Sequence, residues 1–78
     1  MDRDLARILA TAGMRASREI ADLMPMLAEH YPESTELRSG MASAVAEIGL
    51  RLLKPAFEAY PELEAEFDER VRRLGRAT

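Results

Sequence analysis

The chain has 78 residues and no cysteine, which leaves room for one domain and excludes both a disulfide framework and a cysteine-based zinc site. It is 47% hydrophobic and 32% charged, too apolar for a disordered tail, and its 5% aromatic content with few β-branched runs gives nothing from which to build a sheet. A net charge of −3 argues against nucleic acid, whose binders carry a basic face.

The first predicted helix spans about residues 2–30. Asp2 is its cap, and Asp4 sits favourably at the positive end of the helix dipole. Leu5, Leu9, Ala12, Ala16, Ile20, Leu23 and Leu27 recur at helical spacing, and Ile8 and Met24 widen the stripe. Pro25 removes one backbone donor. It is expected to kink rather than end the helix, because Met26-Leu27-Ala28 continues the pattern.

At Tyr31-Pro32-Glu33 the pattern breaks. A second helix over about residues 33–59 carries Leu37, Met41, Val45, Ile48, Leu52 and Ala56 on one face, with Pro55 in its last turns. Tyr60-Pro61-Glu62 repeats the first junction, which reads as shared helix-stop chemistry rather than duplication. A third helix over about 61–74 places Leu63, Phe67, Val71 and Leu74 together. Its start is acidic and its end basic, as the dipole prefers. Gly75 suits a C-terminal cap, and Arg76-Ala77-Thr78 is expected to fray.

A second stripe consists of small residues: Ala6, Ala10, Gly13, Ser17 and Ala21 on the first helix, and Ala42, Ala46 and Gly49 on the second. Small side chains at steps of three and four let helix axes come closer than the usual ~8–10 Å. Mid-helix glycine costs roughly 1 kcal/mol against alanine and calls for a packing reason. Ala10, Gly13, Ala46 and Gly49 are therefore expected at a close crossing of the first two helices.

The inventory of chemical groups is poor. His30 is the only histidine, and Leu27 stands where a di-iron Glu-x-x-His pattern needs glutamate. Glu19 and Glu47 read as surface carboxylates near Arg15, Arg18 and Arg51. The serines lack a triad partner and the Asp-Ser-Leu context of an acyl carrier protein, and no glycine-rich phosphate loop occurs. Arg70, Arg72, Arg73 and Arg76 satisfy the end of the third helix. Met14, Met24 and Met41 read as core filling, whereas Met26, beyond Pro25, is the best candidate for an exposed partner contact. No catalytic residue, cofactor or metal is assigned.

The longest uncharged central run, Ser39–Ala46, has eight residues against the ~20 needed to cross a membrane. Met1-Asp2-Arg3-Asp4 lacks the basic start of a signal peptide, so a cytoplasmic protein is expected. Ten of the eleven basic residues are Arg, which reads as the bias of a GC-rich bacterial genome.

These readings define an all-α fold, one domain over residues 1–78, with two long antiparallel helices and a shorter C-terminal one. Two helices nearly 40 Å long cannot be covered by a third of about 14 residues. A second copy is expected to bury the remainder in a dimeric helical bundle, with Met41, Val45, Ile48, Leu52 and Met26 at the dimer or partner interface. The function expected is a non-catalytic interaction module, a small regulator or accessory subunit that binds a protein partner through an apolar helical face. The alternatives are a small-ligand-binding bundle and an enzyme with an Arg/Glu site at the dimer interface.

Overall fold

Asp2 starts the first helix by accepting a hydrogen bond from the Leu5 amide at 3.0 Å. The computed structural model describes all 78 residues, and 86% of them are helical with no strand. Helix α1 (Arg3–His30) runs through Pro25 without a break. The carbonyl of Ala21, which loses its partner to the proline ring, belongs to an exposed residue and can be hydrated.

Tyr31 leaves helical geometry, and a turn closed by the Ser34 amide donating to the Tyr31 carbonyl at 2.9 Å reverses the chain. That turn takes up Pro32 and Glu33, so helix α2 (Thr35–Ile48) begins two residues later than expected, with buried Ser34 as its N-cap residue. A five-residue π turn follows over Gly49–Leu53, in which the Lys54 amide donates to the Gly49 carbonyl five residues back. Pro55 supplies the reason: in an α-turn its ring would collide with the Arg51 carbonyl, and the wider turn relieves that clash. Helix α3 (Lys54–Ala59) continues the same rod.

Tyr60 ends the rod, and helix α4 (Pro61–Leu74) starts on Pro61 at its first position. Gly75 caps it at φ 81°, a left-handed conformation that suits glycine. That reversal folds the tail back rather than leaving it frayed. Ala77 packs on the core, Arg70 donates to its carbonyl at 3.4 Å, and Arg18 donates to the Thr78 main-chain oxygen at 2.5 Å.

The α2–α3 rod returns antiparallel to α1, and α4 then runs parallel to α1. Arg3 pairs with Glu62 at 2.5 Å and Arg7 pairs with Glu66, the same sequence separation of 59 in both cases. Tyr60 donates to the Met1 carbonyl at 2.5 Å at the same end. The fully buried core is small and lies there too: Ala6, Ala10, Ala56, Leu63 and Phe67. Leu63 and Phe67 contribute about 1.5–3 kcal/mol each by leaving water. The Phe57 and Phe67 rings meet at 5.9 Å between centroids in a tilted contact of 56°. Val71 and Leu74, expected on the same face of the third helix, are exposed.

The close approach involves one side only. Gly13 is buried, and a Cβ added there would lie 2.7 Å from Leu53 Cδ2 and 3.2 Å from Leu52 Cδ2. Ala46 is exposed, and a Cβ added at Gly49 would meet nothing within 4 Å. The space beside Gly13 is filled by Leu52 and Leu53 of the opposing rod, whereas Ala6 and Ala10 cluster with Ala56 of that rod and with Leu63 and Phe67 of α4.

Gly13→Leu should lower stability by about 1–3 kcal/mol or more through overpacking, whereas Gly49→Ala should raise it by about 0.5–1 kcal/mol. Urea denaturation of both variants measures the contrast. The Arg7 hydrogen bond to Glu66, assisted by the charges of Arg7 and Arg70, holds the Glu66 carboxyl below the usual carboxylate value despite partial desolvation. Its stabilising contribution is then full above the unfolded carboxyl's range and lost as pH falls through the lowered folded value. Thermal melts between pH 6 and 2 should show a smaller acid-induced loss for Glu66→Gln than for the unmodified chain.

Candidate interaction surface

Helix α1 has two working sides. Arg3 and Arg7 reach α4, and Met14 and Arg18 line a hollow with Val71 and the returning tail. At 100° per residue, Leu5, Ala12 and Leu23 point roughly opposite to that set, with Ile8 and Met26 beside them. These side chains meet no third helix. Leu5, Ile8, Leu23 and Met26 are between 43 and 65% exposed, and Leu37 of α2 is 50% exposed.

Half-buried residues connect this stripe to the second rod. Leu9, Ile20 and Leu27 of α1, and Met41, Val45, Ile48 and Leu52 of the opposing rod, are partly covered by each other and partly open. The result is an apolar face shared by α1 and α2 on the side away from α4. Of the expected interface residues, Met41, Val45, Ile48 and Leu52 are half-buried and Met26 is exposed. Of the expected close-packing residues, Ala10 and Gly13 are buried in the fold, whereas Ala46 and Gly49 stand outside any close contact.

The shape accounts for the exposure. The Cα atoms fill a slab of 43 × 26 × 13 Å with a radius of gyration of 14.2 Å, against about 11.5 Å for a compact chain of this length. The accessible surface is 5362 Å², about 600 Å² more than the ~4,700 Å² typical of a monomer of this mass.

The polar side chains singled out in the sequence pair locally or stand apart. Glu47 pairs with Arg51 at 3.0 Å across one helical turn, and Glu19 is exposed on α1. His30 is exposed beside Glu29 at 4.0 Å, and no three His, Asp or Glu side chains lie close enough together to hold a metal ion. The C-terminal arginines serve local structure. Arg70 binds Glu66 at 2.7 Å and stacks over Phe67 at 5.0 Å, Arg72 pairs with Glu69, and Arg76 donates to the Thr78 main-chain oxygen.

An open groove of about 630 Å³ sits between the π turn and α4, with Leu53, Phe57 and Pro61 beside the charged Lys54, Glu58 and Glu64. Pro55 signalled a disturbance in the second helix, but not that the helix would widen and leave Gly49 uncovered on the groove wall. No protein-family profile matches the chain, and no curated protein sequence or solved structure matches it significantly.

Proposed function

We propose that this chain is a non-catalytic interaction module, a small regulator or accessory subunit that acts as a homodimer and binds a protein partner through an apolar helical face. The observation that carries the reading is the largely apolar face of α1 and α2 on the side away from α4, interrupted by Arg15 and Glu19, on a chain whose surface is about 600 Å² in excess for its mass. Pairing that removes such an excess from two chains buries about 1,200 Å² in total, the lower end of stable interfaces. Soluble monomers seldom expose apolar patches beyond a few hundred Å². No helix is long and apolar enough to cross a membrane.

A second reading, small-ligand binding, draws on a different place: the groove between the π turn and α4, since single π turns recur at functional sites. It is the weaker reading, because the groove is open and its charged walls are those of an ordinary surface.

Light scattering on the purified chain at micromolar concentration tests the leading proposal. A mass twice 8.7 kDa is expected, and a single species at 8.7 kDa would overturn the homodimer. Ile48→Glu should dissociate or unfold the dimer, because the new carboxylate would be buried without a partner.

A further inference from the structure

Arg15 and Glu19 lie on the exposed side of α1, in the middle of the apolar stripe, one turn apart. Neither takes part in any ion pair within the chain, although Arg3, Arg7, Arg51, Arg70 and Arg72 all do. Their order explains this in part: arginine preceding glutamate by four residues is the poorer arrangement for a pair along one helix. The two opposite charges are left side by side, facing outward, on the apolar face.

The stripe around them is close to self-complementary when reversed. Turned about Ser17, Ile8 falls opposite Met26, Ala12 falls beside Leu23, and Arg15 falls opposite Glu19. Small therefore meets large, and positive meets negative twice. The second rod obeys the same centre. Gly13 is level with Leu52 and Leu53. One turn further along α1 and one turn back along the antiparallel rod, Ser17 is level with Ile48.

We infer that the face away from α4 takes a second copy of this chain, α1 antiparallel to α1 and the α2–α3 rod antiparallel to that of the second copy, so that α2 lies against the second copy's π turn and α3, about a two-fold axis at the level of Ser17 and Ile48. This rests on the homodimer reading above and gives it a register. Each Arg15 pairs with Glu19 of the second copy, two reciprocal ion pairs beside the axis, and the two Ile48 side chains meet across it. Such an isologous contact needs only one surface and closes on itself. The face runs the 43 Å length of the molecule and is two helix diameters, roughly 20 Å, wide, so its footprint is on the order of the 800 Å² per partner that stable interfaces use.

Charge reversal tests the register separately from dimerisation. Arg15→Glu and Glu19→Arg should each weaken self-association of the purified chain at least tenfold in sedimentation equilibrium, since each puts like charges face to face. Mixing the two variants should restore a heterodimer, and so should combining both changes in one chain as a homodimer. Because the chain has no cysteine, Ile48→Cys should oxidise to a disulfide-linked dimer, while Leu74→Cys on α4 should not. If the unmodified chain is monomeric, both the homodimer and its register are overturned. If it dimerises but the charge variants associate normally, or fail to rescue one another, or if the Leu74→Cys chain is linked as readily as the Ile48→Cys chain, the register alone is overturned. Circular dichroism on each variant separates loss of association from loss of fold.

Discussion

Ala6, Ala10 and Gly13 present α1 to the rest of the chain almost as bare backbone, and the core exists because of that. With aromatics at 5% and no disulfide, the chain has few large groups to bury. Its two largest fully buried side chains, Leu63 and Phe67, cannot enclose a volume by themselves. They lie against Ala6 and Ala10 of α1 and Ala56, small residues that let the helices approach closely around them. The leucines of the π turn close on Gly13 for the same reason, and a larger residue there would separate the two rods.

That arrangement concentrates order at one end. The N-terminal half of α1, α3 and α4 share the buried cluster, the Arg3–Glu62 and Arg7–Glu66 pairs, and the returning tail. The other end is a two-helix hairpin with no third layer. Exposed ion pairs contribute little to stability, so the Arg–Glu pairs between α1 and α4 are better seen as fixing the direction and register of α4 than as holding it down. Free energy of local opening follows burial, and the hairpin end is accordingly the part of the chain most dependent on whatever covers it.

The π turn adjusts the second rod between these two regimes. It lets Pro55 be accommodated without ending the helix, and it keeps Ala56 and Phe57 directed at the core while Met41, Val45 and Ile48 run along α1. The apolar surface of α1 and α2 away from α4 is the cost of covering two long helices with one short one.

Periodicity near 3.6, the two Tyr-Pro-Glu breaks and the Gly75 stop were enough to read the helices from the sequence, because each is a local property of a few neighbouring residues. The excess of apolar surface over what a short third helix can cover was legible as well, as was the exposure of Met26. Tertiary structure decided the rest. Which small residues are packed depends on what faces them: Gly13 meets two leucines, whereas Gly49, on an equally regular stripe, meets nothing within 4 Å. The docking of Ala77 and Thr78 depends on Arg18 and Arg70, distant in sequence or brought round by the Gly75 reversal. The parallel course of α4 depends on charges 59 residues apart, and the widening at Gly49–Leu53 on a proline whose effect differs from that of Pro25. A sequence specifies which side chains are available along each helix, but only the packed fold determines which of them remain uncovered.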